Sequence, residues 1–260
     1  MIYFTGDIHG EIDIEKLSYR NWAESRNLTE NDYLIIMGDF GLPFLDKETE
    51  QKGGAYHYWI KWLSERPYTI LWIDGNHENF NYWDRQEVSE WHGGKVQIHP
   101  HAPNVIHLMR GEVYKIDGMT FFAFGGAMSH DKAYRKPNIT WWEQEEATES
   151  EMINAKKNLA EYNNHVDFIL THTMPNKISK IAFQSESSDR TACFLDEIMK
   201  TIDYDVWFCG HYHETVFIRD TDMFVLYRKI YSLEQCKSIK NLSYSDHEKA
   251  DCEVMVLNID

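Results

Sequence analysis

Short, continuous apolar runs alternate along the chain with longer stretches in which apolar residues recur at helical spacing. "IYFT" (2–5), "YLIIM" (33–37) and "YTILWID" (68–74) are runs of the first kind. They predict strands of a parallel sheet covered on both faces. "IEKLSYRNWAES" and "GAYHYWIKWLSE" lie between them and are expected to be helices. The middle of the chain differs: "NVIHLM", "EVYKID" and "MTFFAFGG" are strands with short connections and a turn at Asp117-Gly118. That pattern predicts a second, more antiparallel sheet. A long helix is expected from about Trp142 to Asn163. Strand "DFILT" (167–171), helix "TACFLDEIMKTI" and strand "VWFCG" (206–210) then restore the alternation. "TVFI", "FVLYRKI" and "CEVMVLNI" are expected to add strands to the second sheet. No repeat, low-complexity tract or Pro/Gly/Ser linker divides the sequence, so residues 1–260 are expected to form one α/β domain on two sheets.

Charge narrows the partners. The chain carries 42 acidic and 26 basic residues, a net charge of −16. Such a surface repels nucleic acid and anionic membrane as a whole, so a phosphate ligand needs a local positive centre. The acidic run "EQEEATESE" (143–151) is expected to be a solvated helix face. Cysteines 193, 209, 236 and 252 are too widely spaced for a thiolate metal site, and predict reduced thiols in the cytoplasm. No basic-then-apolar leader precedes the first motif and no apolar run reaches membrane-spanning length, so no membrane partner is expected.

The strand ends carry the chemistry. "GDIHG" follows the first strand with Asp7 and His9, "GD" the second with Asp39, and "GNHE" the third with Asn76 and His77. "TH" ends a later strand with His172, and "GHYH" another with His211 and His213. Open α/β sheets bind ligands beyond the carboxyl ends of their strands. In four of the five places a glycine precedes the first donor, which lets the backbone come close to a ligand. The donor set of imidazoles, carboxylates and one amide, without thiolate, suits two divalent ions of manganese, iron or zinc. Two such ions outweigh two carboxylates and one hydroxide, creating the positive centre within an acidic protein.

In that order, these motifs resemble the calcineurin-like metallophosphoesterase superfamily, from about Gly6 to His213. The resemblance implies an α/β fold: a four-layer α/β/β/α sandwich of two mixed sheets flanked by helices, with a dinuclear site at one edge. It implies that Asp7, His9 and His213 bind one metal, that Asn76, His172 and His211 bind the other, and that Asp39 bridges them. A hydroxide between the ions is then expected to attack phosphorus in line. His77, not a ligand, is expected to stabilise the transition state or protonate the leaving oxygen.

The second motif departs from the GD-x-x-DRG of phosphoprotein-phosphatase relatives. Leu42 stands at the acid position, followed by Pro43 and Phe44. The partner of His77 is therefore open, with Asp46 and Asp74 as candidates. A weaker likeness to lariat-debranching enzymes inclines the substrate towards a phosphodiester in a nucleotide or short single-stranded nucleic acid. A phosphomonoesterase on the same site and a catalytically silent metal-binding scaffold are the alternatives. In "SHDKAYRK" (129–136), Lys132, Arg135 and Lys136 fall near the crevice. Arg135 is a candidate to grip a phosphate oxygen bidentately, and solvated loop cations are the bland alternative. Phe80, Tyr82, Trp83, Trp141, Trp142 and Tyr212 are expected to serve mostly as packing, with base stacking the other use of such rings.

Overall fold

The structure is a computed structural model describing residues 1–185, 189–242 and 254–259. His247 and Cys252 lie outside the described residues. The strands are β1 (Ile2–Thr5), β2 (Tyr33–Ile36), β3 (Thr69–Trp72), β4 (Val88–Trp91), β5 (Gly94–His99), β6 (Ala102–Leu108) and β7 (Glu112–Ile116). They continue as β8 (Met119–Phe124), β9 (His165–Thr171), β10 (Asp203–Cys209), β11 (Val216–Ile218), β12 (Met223–Val225), β13 (Tyr231–Ser232) and β14 (Met255–Leu257). One seven-stranded sheet runs β13-β1-β2-β3-β6-β5-β4 and the other β14-β11-β12-β10-β9-β8-β7.

Strand alternation explains how the sheets pack. Successive side chains on a strand point to opposite faces. Ile2, Phe4, Ile35, Leu71 and Ile73 point inward to meet Phe121, Phe168, Leu170 and Phe208 between the sheets. The rings of Phe4 and Phe208 stack across that interface at 4.0 Å. Tyr3, Leu34, Ile36, Ile70 and Trp72 point outward. They are covered by Tyr56, Ile60 and Leu63, spaced along one face of helix Ala55–Ser64. Helices Glu149–Glu161 and Arg190–Thr201 cover the outer face of the second sheet with Ala155, Leu159, Phe194, Leu195 and Ile198. The result is a helix–sheet–sheet–helix sandwich.

Several expectations fail for identifiable reasons. "NVIHLM" forms β6, which pairs parallel with β3 in the first sheet, not in the second. The second sheet is not the more antiparallel of the two: β8, β9, β10 and β12 run parallel to their neighbours in that series, whereas β13, β4 and β5 pair antiparallel in the first. The β7–β8 hairpin does turn at Asp117-Gly118, both with positive φ. The hairpin β4–β5 is additional, because half-exposed β4 carries little apolar signal. "IEKLSYRNWAES" is not one helix but two 3₁₀ turns, Ile14–Leu17 and Ala23–Asn27. Asn21 binds the Glu15 carbonyl there, a local bond that competes with the helical ladder. The helix expected from Trp142 begins only at Glu149, capped by Thr148 with Glu151 in a capping box. Within the acidic run Glu145 is buried, not solvated. "FVLYRKI" leaves the sheet after Val225, and the Tyr227 carbonyl then accepts from Thr5 and Lys16. Of "CEVMVLNI", Met255–Leu257 forms β14 beside β11. Among the described residues no helix is long and apolar enough to cross a membrane.

Candidate metal centre

The carboxyl ends of β1, β2 and β3, which are parallel neighbours, deliver Asp7, His9, Asp39, Asn76 and His77. Those of β9 and β10, also parallel, deliver His172, His211 and His213. Both sets meet in one crevice. His172 Nε2 lies 3.4 Å from Asp39 Oδ1 and 3.2 Å from Asn76 Oδ1. His213 Nε2 lies 3.2 Å from Asp7 Oδ2, and the His211 amide donates to Asp7 Oδ1 at 3.1 Å. The His211 and His172 rings are 5.0 Å apart.

The backbone is bent to make this meeting. His9, Asp39, His211 and His213 all have left-handed φ, between 43° and 69°. Such conformations persist only where the surroundings over-determine them, and they cluster at functional sites. Three of the preceding glycines serve a neighbour, not their own motif, Gly210 among them, where a Cβ would sit 2.3 Å from Asp7 Oδ1. A Cβ on Gly38 would sit 2.2 Å from the His172 ring, and one on Gly75 would sit 1.9 Å from Asp39 Oδ1.

Each donor is oriented from behind. The His172 Nδ1 faces the Met37 carbonyl at 2.7 Å, leaving Nε2 for the crevice. His9 Nδ1 faces Asp13 Oδ2 at 2.8 Å, leaving Nε2 beside Asp39 Oδ2 at 3.2 Å. Asn76 Nδ2 donates to Ser129 Oγ, so its Oδ1 points inward. Buried Glu145 accepts from the Ser129 amide and extends the chain. Such outer partners set the tautomer and the direction of metal-binding groups. Lys16 donates to the carbonyls of Gly6, Asp7 and Tyr227 and pins the first loop. Glu78 accepts from the amides of Phe40, Gly41 and Gly75, tying the second loop to the third.

The electrostatics pair the carboxylates with imidazolium, a proton load that a bound divalent ion would displace. Burial pushes the Asp39 carboxyl up, but His172 and His9 outweigh it and hold Asp39 well below the carboxylate range. Burial likewise raises Asp7, and His213 and His172 reverse it. Burial works against charge on His9 and His172, yet Asp39 beside each holds them up at about 9 and about 10. Burial and the neighbouring His172 push His211 down to about 3. Asp7 is 0% exposed and its Oδ2 has no aligned donor. His213 Nε2 lies 3.2 Å from that oxygen without hydrogen-bond alignment, a poor exchange for water that a divalent ion would improve. Among the described residues two donor clusters are compact enough to share an ion, Asp7–His9–His213 and His9–Asp39–His77. The first cluster is the expected ligand set of one ion, whereas the second includes His77 and is not the Asn76, His172 and His211 set expected for the other.

His77 occupies the same crevice. Its amide donates to Asp39 Oδ1 at 2.7 Å. Neither acid expected to orient its ring does so. Asp46 binds Asn79 and Arg85, while Asp74 is held by His107 and Arg110 in a buried ion pair. Arg135 lies against the ring instead, with Nη1 3.1 Å from Nδ1 and Nη2 3.4 Å from Nε2. Burial lowers the pKa of His77, and Arg135 adds to the shift. Asp131 and the Thr140 carbonyl hold the Arg135 guanidinium in place. Lys132 instead lies over the Trp141 ring, and Lys136 is exposed. Phe80, Tyr82, Trp83 and Trp142 are buried packing. Asp13, Lys16, Ser129 and Glu145 have no role assigned from the sequence, and Glu78 closes the GNHE motif but likewise has none. Asp13 also carries a local signal, four residues after His9.

The family model for calcineurin-like phosphoesterases matches residues 1–215. No curated protein matches the chain. Among solved structures, a Staphylococcus aureus protein described as a putative 5'-nucleotidase in complex with alpha-ketoglutarate is 16% identical, with a TM-score of 0.46 over 87% of this chain. The chain spans 48% of the length of that protein.

Proposed function

The chain belongs to the calcineurin-like phosphoesterase family, and from that membership we propose a metal-dependent phosphodiesterase acting on a nucleotide or a short single-stranded nucleic acid. The observation that carries this reading is the meeting of seven metal-type donors from both sheets with His77 and Arg135 in one crevice. Asp7, His9 and His213 hold one divalent ion in this reading, Asn76, His172 and His211 the other, and Asp39 serves both. Manganese, iron or zinc suits the mixed nitrogen and oxygen set. When bound, the ions supply Lewis acidity and lower the pKa of water.

The remaining work falls to the chain. Asp39 anchors the His77 backbone, so the ring stays beside the metals while it donates to the leaving oxygen. Arg135 grips a phosphoryl oxygen. A phosphodiester carries one negative charge and a monoester close to two at neutral pH. One guanidinium against His77 suits the singly charged diester. Residues 1–260 act as one phosphoesterase domain in this reading. Cys193, Cys209 and Cys236 are free thiols, which supports a reducing, cytoplasmic setting.

The test compares bis(p-nitrophenyl) phosphate with p-nitrophenyl phosphate in the presence of Mn²⁺, Ni²⁺, Zn²⁺ or Mg²⁺. Faster hydrolysis of the diester is expected. Preference for the monoester removes the diester assignment, and inertness towards both leaves a metal-binding scaffold.

A further inference from the structure

A cleft of about 590 Å³ opens beside the metal donors and shares His9 and His77 with them. Its volume falls within the range of small-molecule sites. The segment directly after Asp39 builds one wall with Leu42, Phe44 and Leu45, and Tyr56 adds to it from the covering helix. Phe44 is only partly buried, and its ring lies 6.3 Å from that of His77. The Phe44 amide donates to Glu48, so the loop that presents the ring is tied to the helical turn behind it. The Tyr56 hydroxyl is engaged by Tyr82 and His99 within the core. Lys47 and Gln51 line the same cleft from its solvent side.

We propose that this cleft binds the organic substituent of the phosphoester, and that the substituent is a nucleoside whose base stacks on Phe44. The proposal rests on the phosphoesterase reading and adds where the nucleoside arm of the substrate sits and which ring holds its base. His9 and His77 line this cleft, so a group attached to a phosphorus within their reach has a path into it. An aromatic platform with aliphatic walls suits a flat ring, because every base has a π-face. Lys47 and Gln51 suit the polar edges and hydroxyls of a nucleoside. A lipid chain would make no use of Lys47, Gln51, Glu11 and Glu48 around the cleft, and a small sugar would leave Phe44 and Leu45 uncovered.

Two measurements test this. With Mn²⁺ present, thymidine 5'-(p-nitrophenyl phosphate) is compared with methyl p-nitrophenyl phosphate for the native chain, Phe44→Ala and Ala55→Trp. Ala55 is exposed on the cleft wall, so the tryptophan fills the cleft without entering the core. The thymidyl-over-methyl ratio of kcat/KM is expected to exceed about tenfold in the native chain and to fall towards one in both variants, mainly through KM. A ratio near one in the native chain, or one unchanged by either substitution, overturns the proposal. Saturation-transfer NMR with thymidine alone, on protein loaded with diamagnetic Zn²⁺, separates the two readings. A thymidine signal present with the native chain and absent with both variants supports the cleft assignment even if hydrolysis fails. No thymidine signal with the native chain overturns it even if hydrolysis proceeds.

Discussion

The two sheets meet at the candidate centre with different chemistry. The first contributes both carboxylates, the amide, His9 and His77, while the second contributes His172, His211 and His213. Asp7 and Asp39 are almost fully buried, whereas the His213 side chain is 50% exposed. Among the metal-type donors, buried negative charge is therefore confined to the first sheet, and the imidazoles that offset it come largely from the second. Neither edge alone makes a tolerable site, since unpaired buried carboxylates are expensive. The centre exists because the sheets pack face to face, as in the Phe4–Phe208 stack.

The largest effect should come from removing charge at the shared carboxylate. Asp39→Asn is expected to lose bound metal and hydrolysis together, measured by elemental analysis and steady-state kinetics; retention of both ions would break the assignment of the carboxylates as the anchor. Next, His77→Ala should keep its metals and lose about 10²–10⁴ in kcat, and unchanged turnover would remove His77 from the reaction.

A third effect tests the link between the edges through Glu145, Ser129 and Asn76. Burial raises the Glu145 carboxyl to about 7. The folded chain thus holds a proton that the unfolded chain releases near its ordinary value of 4.5. This contribution to stability is present at low pH and disappears as pH rises from about 4.5 through about 7, amounting to about 3 kcal/mol at most. Denaturation across that range should show a flatter profile for Glu145→Gln than for the native chain, and an identical profile would uncouple Glu145 from folding. The smallest effect separates the two kinds of support. Asp13→Ala should weaken metal binding about 10–100-fold by freeing the His9 ring. His172 leans on the Met37 backbone carbonyl, a support that substitution of Met37 should spare. Equal losses in Asp13→Ala and Met37→Leu would erase that distinction.

Much of this molecule is legible locally. The strands β1, β2, β3, β9 and β10 are apolar runs, and each is followed within a few residues by a donor. Burial on both faces and the step into a strand-end loop are short-range properties, so runs such as "IYFTGD" announce them. The Asp117-Gly118 turn is legible for the same reason. Less legible is anything settled by a distant partner. β6 resembles its sequence neighbours yet joins β3, because its apolar faces fit either sheet and only overall packing decides. The segment after Asp13 has helical spacing, but Lys16 is drawn to the carbonyls of the first loop and of Tyr227. Glu145 stands in an acidic run and turns inward because Ser129 and Trp142 offer amides there.

Local order along the chain is enough to specify the strand ends, the succession of donors and the kind of ion they suit, because these depend on neighbours a few residues apart. Long-range packing settles that Arg135 rather than Asp46 or Asp74 faces His77, and that Asn76 takes its direction from Ser129. It also settles that Gly38 clears space for His172 and that Leu42 and Phe44 line a cleft. Those contacts join segments tens to more than a hundred residues apart, and nothing in local spacing encodes which of them will touch.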